Sequence, residues 1–295
     1  KTVIEPLFED TGNFTKLYDF DLMMDGGHIT GWKIDDEKTI SNVVNALEKL
    51  ADKESFREKY NMAPGNADSG MADNGVLLFA VGDGNHSLAT AKAHWENVKK
   101  AEGLDSNSDH PARYALAEIV NVHDDGIVFE PIHRVLFDVN ADDVLAEIAD
   151  AGAEIIKFSA NDTSEKIAKE LTDEASSYEA GEQACKPHII RYIKEDGYGL
   201  IVFKKPTATL EVGSLQAIVD KLEEKYPQMQ VDYIHGDDVV TNLGSQPGNI
   251  GFYLPSMDKN DLFKTVIKEG ALPRKTFSMG EAEEKRYYLE CRKIR

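Results

Sequence analysis

The sequence predicts an α+β fold, a mixed α/β arrangement in which mixed sheets pack against helices. Strand-like and helix-like apolar patterns are interspersed along the chain, without the strict alternation of a doubly wound parallel sheet. The stretch "HIIRYIKEDGYGLIVFKK" at residues 188–205 interrupts the alternation, because it has the pattern of a β-hairpin around an Asp-Gly turn. No apolar run reaches about 18 residues, so no transmembrane helix is expected.

The first part of the chain contains a predicted hairpin, two predicted helices and a predicted strand. The hairpin covers residues 19–34, where apolar residues flank Asp25-Gly26-Gly27. Residues 36–60 carry an apolar stripe at helical spacing. Residues 76–81 are predicted to form a strand that leads through a polar turn into an Ala-rich helix, whereas residues 110–122 fit a helix or a strand.

The second part alternates strands and helices around the hairpin at residues 188–205. Asn140 is the expected N-cap of a helix that stops at Gly152. In chain order, the other predicted elements are an extended segment at 124–139, a strand at 153–159, an acidic helix at 161–181, a helix at 214–226, a strand at 229–236, a short helix at 237–244, a strand at 249–255, a helix at 258–270 and a strand-like end at 285–294.

The charge balance limits the classes of partner. Lys and Arg number 33 against 53 Asp and Glu, which gives a net charge of −20. Such a charge repels nucleic acid and anionic membrane surfaces, so a small-molecule anion needs a local cluster of donors. Two cysteines in 295 residues are too few to form a disulfide framework. This low number favours a cytoplasmic protein with reduced thiols.

The turn "GDGNHS" at residues 82–87 is the first candidate site. Glycines let the backbone approach a ligand closely, and a helix N-terminus offers unpaired N–H groups to an anion such as phosphate. His86 is a candidate hydrogen-bond donor or base, and Asp83 a candidate proton acceptor. Gly84, Asn85 and Ser87 are candidate phosphate-binding residues in this strand–turn–helix anion site. The alternative is structural: Asp83 or Ser87 caps the helix, and His86 bonds a backbone carbonyl.

Three other stretches concentrate the same kinds of side chain. His133 and Arg134 lie in the extended segment, and His235 and Asp237 lie between a strand and a helix. Arg274, Lys275 and Thr276 follow Pro273 in a loop that forms a locally basic segment of an acidic chain, which suits an anion site. The alternative interpretation is an ordinary surface loop with solvated Lys and Arg side chains. A metal site built from Asp83 and histidines is less favoured than an anion site, because their spacing is non-local, and no metal ligands are assigned.

Together and in order, these stretches resemble a bacterial and archaeal family, the domain of unknown function numbered 1015. The resemblance rests on "FAVGDGNHSLATAKAHW", "RYALAEIVNVHDDGIVFEPIHRVLF", "DYIHGDDVV" and "LPRKTFSMGEAEEKRYYLE". It implies that an N-terminal family segment is missing, in agreement with a chain that does not begin with Met. We expect one motif-bearing α/β domain at residues 1–140 and a second α+β portion at residues 141–295, separate from the first or continuous with it.

The turn is also similar to the Asp-Gly-x-His phosphate-binding turn of the ParB–sulfiredoxin superfamily, which includes free-serine kinases. Asp83, Gly84 and His86 match that pattern, whereas Asn85 stands in place of a His and Ser87 in place of an Arg. The resemblance implies a nucleotide or phosphate ligand. It also implies that the missing Arg charge comes from Arg134, or from Arg274 with Lys275.

The leading hypothesis is therefore a small-molecule phosphotransferase that acts on a hydroxyl compound, with a nucleotide and Mg²⁺ as the candidate cofactor. Asp83 or Asp237 is the candidate base, and His86 and His235 are the candidate groups that polarise oxygens. A non-catalytic sensor of a phosphorylated metabolite and a metal-dependent hydrolase are the alternatives. The leading hypothesis requires the four stretches to meet, and the sequence does not predict the oligomeric state.

Overall fold

The fold is mixed α+β, as predicted. The computed structural model describes residues 2–23, 25–60, 75–82, 84–159, 186–280 and 290–292. The chain divides into two compact units, unit 1 with Lys1–Ile127 and Met279–Arg295, and unit 2 with Val128–Ser278. The expected domain division after residue 140 stays a prediction, because compactness does not test whether either part folds alone.

Unit 1 contains the predicted hairpin and the predicted Ala-rich helix. The helix expected over residues 36–60 is two helices, and Asp52 caps the second by accepting a hydrogen bond from the Ser55 N–H. The prediction of a strand at residues 76–81 is wrong, because these residues have no regular secondary structure. Residues 110–122, which fitted a helix or a strand, contain a single 3₁₀ turn. The elements are α1 (Glu5–Glu9), β1 (Thr15–Asp21), β2 (His28–Lys33), α2 (Glu37–Leu50), α3 (Lys53–Lys59) and α4 (Asn85–Glu102).

Unit 2 contains most of the elements predicted for the second part of the chain. The acidic helix expected at residues 161–181 lies outside the described residues. So does most of the strand-like end expected at 285–294, of which only residues 290–292 are described, and these have no regular structure. No helix in the described ranges has the length and apolar character needed to cross a bilayer. The elements are β3 (Phe129–Pro131), β4 (His133–Phe137), α5 (Ala141–Asp150), β5 (Glu154–Ser159), β6 (His188–Lys194), β7 (Gly197–Phe203), α6 (Glu211–Lys225), β8 (Gln230–Ile234), α7 (Asp237–Gly244), β9 (Ile250–Tyr253) and α8 (Leu262–Glu269), followed by β10 (Phe277–Met279).

Unit 2 is built on a six-stranded antiparallel sheet with the order β5-β7-β6-β9-β4-β8. Helices α5 and α6 cover one face, where apolar residues of both helices pack against alternate strand residues such as Leu136 and Phe252. Helix α7 covers the other face, where Val240 packs against Val135 and Ile234. Because successive strand residues point to opposite faces, β4 directs Arg134 to the α6 side and His133 to the α7 side.

Two glycines bring α7 close to the sheet. A Cβ atom at Gly244 would lie 2.8 Å from the Gly251 nitrogen, and a Cβ atom at Gly251 would lie 2.8 Å from Cγ1 of Val240. Neither residue leaves room for a side chain, so the second half of α7, from Val240 to Gly244, packs directly against β9.

We predict that Gly251→Ala lowers the free energy of unfolding by about 1–3 kcal/mol, the usual cost of overpacking a close-packed contact. Chemical denaturation of the full chain measures it. Gly12→Ala is the control, because nothing lies within 4 Å of a Cβ atom there. Equal stabilities for wild type and Gly251→Ala would mean that α7 does not pack this tightly.

Candidate functional site

Three of the four predicted stretches meet at the first residues of β4, next to the edge strand β8. Arg134 lies opposite Tyr233 in the β4–β8 ladder. Its guanidinium donates hydrogen bonds to the carbonyls of Arg274 and Lys275, and neighbouring His133 contacts Asp237. The fourth stretch, the turn before α4, belongs to unit 1. That all four line one site stays a prediction.

Arg134 is the buried centre of this region. Its side chain is fully buried, and it donates to the carbonyls of Ile132, Arg274 and Lys275, the last two over 2.9 Å, and to the Gln216 side-chain oxygen over 3.3 Å. Burial lowers the pKa of Arg134 to about 10, so the group still carries its charge at neutral pH. To bind phosphate directly, as the sequence predicted, Arg134 would have to give up these bonds.

The loop that Arg134 holds has an unusual backbone conformation. Lys275 has φ of 55°, in the left-handed region that costs a residue with a Cβ atom about 1–2 kcal/mol. The Thr276 hydroxyl donates to the Pro273 carbonyl over 2.7 Å and so closes the loop from within. The Lys275 side chain is exposed, and its ammonium has no ion-pair partner among the residues that the structure describes. Of the two exposed cations in the loop, Lys275 is therefore the one without an ion-pair partner in the described residues, and its backbone is fixed.

Arg274 has its side chain engaged elsewhere. Its guanidinium forms ion pairs with Glu223 at 2.7 Å and with Asp220 at 3.4 Å, both on α6. It also lies over the ring of Tyr233, 5.7 Å from the centroid, while Arg134 lies 4.9 Å from the same centroid. Of the two adjacent cations predicted to bind phosphate, Lys275 is therefore the one available without rearrangement.

His133 is held in one tautomer. The Leu254 N–H donates to Nδ1 over 3.0 Å, so the proton lies on Nε2, which donates to Asp237 over 3.0 Å. Burial lowers the pKa of His133, although Asp237 partly offsets this. The second carboxylate oxygen of Asp237 accepts from Arg191 over 3.0 Å. Both oxygens of the predicted base are engaged, and its role as a base stays a prediction.

His235 directly follows β8, before Gly236 and the start of α7. Its side chain is exposed, like that of Asp238 in the first turn of α7. Since Tyr233 and His235 are two residues apart at the end of a strand, continued alternation places His235 on the face that bears Arg134. The predicted role of His235 in polarising an oxygen is compatible with this exposure.

The turn before α4 provides backbone donors in unit 1. Gly84 is the N-cap, with φ of 84°, and no side chain caps the helix within the described part of the chain. Asn85, His86 and Ser87 form the first helical positions, and all three side chains are exposed. Ser87 is therefore not the cap, and the first-turn N–H groups keep the arrangement that suits an anion. Asp83 lies outside the described residues.

No group of three or more His, Cys, Asp or Glu side chains with metal-binding geometry occurs in the described part of the chain. The hypothesis of a metal-dependent hydrolase gains no support there.

Sequence reasoning missed the residues that hold the loop and its neighbours. Gln216, Asp220 and Glu223 recur on α6 at intervals of four and three, so they share one helix face. The sequence signal is the position of Gln216 at helical spacing from Val212 and Val219, because an amide within an apolar stripe requires polar partners when it is buried. Two other residues, Arg191 beside Asp237 and Tyr233 beside the two arginines, carry no such signal in the sequence.

We predict that replacing His133 with Gln reduces the pH dependence of stability. Because the folded pKa lies below the ordinary value of 6.5, the unfolded chain binds more protons between these two pKa values. This contribution to the free energy of unfolding is complete above about pH 6.5 and is lost as the pH falls through the folded pKa. Denaturation at several pH values between about 5 and 7 should give a shallower slope for His133→Gln, and equal slopes would contradict the lowered pKa of His133.

The comparisons with known structures give only distant similarity. A conserved hypothetical protein from Pyrococcus furiosus matches with a TM-score of 0.38 and 12% identity over 56% of this chain and 61% of that one. A free serine kinase in complex with AMP matches with a TM-score of 0.36 and 12% identity, and a mutant of a free serine kinase in complex with AMP with 0.37 and 13%. Both of these alignments cover 54% of this chain and 56% of the other. The chain thus spans less than two thirds of the length of these proteins. Structural similarity with TM-scores below 0.5 supports no conclusion about function.

Family comparison is more definite. No curated protein matches the chain. The model of the family described as "Protein of unknown function (DUF1015)" matches residues 1–226, which include the turn before α4 and the start of β4 but not the loop at Lys275. The match covers well over half of the sequence, and the chain belongs to the DUF1015 family.

Proposed function

We propose that this protein binds the phosphate group of a small phosphorylated molecule or nucleotide, and that Lys275 is a principal ligand. One observation carries the proposal: Lys275 is an exposed cation, without an ion-pair partner in the described residues, on a left-handed backbone fixed by the buried Arg134. Non-glycine residues in strained conformations cluster at binding and catalytic sites, where the surrounding structure maintains them. With a net charge of −20, a local, correctly placed cation offsets the long-range repulsion that an approaching anion meets.

The turn before α4 supports the same ligand chemistry independently. An 18-residue helix that begins at a left-handed glycine, with no side-chain cap from the residues that the structure describes, offers backbone N–H groups and a partial positive charge. Asp83, Gly84 and His86 are the positions that resemble the ParB–sulfiredoxin turn. We infer anion binding at this helix as a second element of the proposal, to be tested separately from Lys275.

Phosphoryl transfer to a small hydroxyl compound is the reaction that we propose for this ligand. Asp83 or Asp237 would accept the hydroxyl proton, and His86 and His235 would polarise oxygens. A nucleotide with Mg²⁺ would donate its terminal phosphoryl group to the hydroxyl oxygen and leave as the nucleotide with one phosphate fewer. Turnover of ATP or ADP with serine-like acceptors tests this step, and production of phosphorylated acceptor is the expected result.

A non-catalytic sensor of a phosphorylated metabolite is the second candidate. One observation favours it: both carboxylate oxygens of Asp237 already accept hydrogen bonds, from His133 and Arg191, so neither oxygen is without a partner to accept a proton from a substrate. Phosphate binding without turnover of any acceptor would support the sensor over the transferase.

We predict that Lys275→Asn weakens binding of inorganic phosphate by about 1–3 kcal/mol, the scale of a charged hydrogen bond. The free energy of unfolding should change little, because Asn tolerates the left-handed region. Calorimetry at low salt measures the affinity. Lys157→Gln is the matched control, since it removes one exposed cation on β5, at the opposite edge of the sheet. Unchanged affinity in Lys275→Asn would remove Lys275 from the site.

We also predict that Ser87→Asp weakens phosphate binding at the start of α4 without destabilising the protein. A carboxylate at the third helical position interacts favourably with the helix dipole, by about 0.3–1 kcal/mol, but repels an anion bound to the first-turn N–H groups. Ser87→Asn is the neutral control. If Ser87→Asp binds phosphate as well as the control does, the start of α4 is not an anion site.

A further inference from the structure

We propose that Arg274 is a latent second phosphate ligand, which Asp220 and Glu223 hold in the absence of phosphate and which phosphate recruits. This inference rests on the proposed phosphate site at Lys275. It adds a regulating element, a pair of carboxylates that compete with the ligand for one guanidinium.

The backbone of Arg274 is already in place. Its carbonyl accepts a hydrogen bond from Arg134 over 2.9 Å, and the carbonyl of Lys275 accepts another over 2.9 Å. Two adjacent cations are therefore attached to one fixed stretch of backbone. Recruiting Arg274 requires only a change in its side-chain rotamers.

The contacts that now hold the guanidinium are exposed. Arg274 is paired with Glu223 at 2.7 Å and Asp220 at 3.4 Å, and the three side chains are 56%, 38% and 58% exposed, respectively. Exposed ion pairs contribute little to stability, because water and salt screen them and side-chain entropy opposes them. A phosphate dianion offers the guanidinium a bidentate, charge-assisted alternative, so exchange of partners is favourable.

The competing carboxylate is itself positioned by the buried centre of the site. Asp220 accepts from the Gln216 amide over 2.8 Å, and the Gln216 oxygen accepts from Arg134 over 3.3 Å. Arg134 thus fixes the backbone of Arg274 directly and one of its side-chain partners through Gln216. An ordinary surface ion pair has no such connection to a buried group. The contacts from Arg134 through Gln216 to Asp220 therefore indicate that Asp220 is positioned to compete with phosphate for Arg274.

The test is a gain of binding. Asp220→Asn combined with Glu223→Gln should tighten binding of inorganic phosphate at low salt by about five-fold to ten-fold, since the guanidinium is released and two repelling charges are removed. Glu224→Gln combined with Asp150→Asn is the matched control, because it removes two exposed carboxylates from α6 and α5 that do not contact Arg274. The control should change the affinity by less than about two-fold, as screened charges at a distance do.

Adding Arg274→Gln to the double variant identifies the source of the gain. If phosphate recruits Arg274, the triple variant loses most of the gain and keeps only the small part that comes from removing two negative charges. A full gain without Arg274, an equal gain in the control, or no gain at all would overturn the inference.

Lys275→Asn separates this inference from the proposed function. If Lys275→Asn lowers phosphate affinity and the double variant shows no gain, Lys275 stays a ligand and only the latent role of Arg274 is lost. If neither the wild type nor the double variant binds phosphate, the proposed site and the inference fail together.

Discussion

A buried guanidinium organises the best-defined region of this protein. Placing Arg134 inside a sheet removes its charge from water, at a cost that only hydrogen bonds and aromatic contact can offset. The structure supplies both, through three backbone carbonyls, the Gln216 amide and the ring of Tyr233. Because two of these carbonyls belong to Arg274 and Lys275, satisfying the buried charge also determines the conformation of the loop.

This arrangement links stability to binding. The hydrogen bonds that Arg134 needs are made by a loop whose own backbone is strained at Lys275, so the strain is maintained by a group inside the fold. An exposed cation results on a backbone with little freedom, which lowers the entropy lost when a ligand binds. In a chain with a net charge of −20, such a fixed cation offsets the repulsion that an approaching phosphate meets.

Much of the fold follows from sequence patterns. The hairpin at β6 and β7, the Asn140 cap and the Gly152 stop were predictable because alternation, capping and turn chemistry act within a few residues. The expected strand at residues 76–81 failed, since a short apolar run does not by itself determine whether a strand partner is available.

The site was predictable only in part. Sequence reasoning selected His133, Arg134 and Lys275 by chemical type, and the structure brings their three stretches together. It could not separate the buried Arg134 from the exposed Lys275, because burial at this point depends on pairing between β4 and β8 and on α6, which are distant in sequence. The contacts of Arg274 with α6 are non-local for the same reason.

The most direct test is a crystal structure of the full chain grown with inorganic phosphate. Our account predicts a phosphate within about 3 Å of the Lys275 ammonium, with the bonds from Arg134 to the two loop carbonyls retained. Phosphate bound through Arg134 itself, with the loop displaced, would contradict the account, as would a site at Lys275 that stays empty while phosphate occupies another place on the protein.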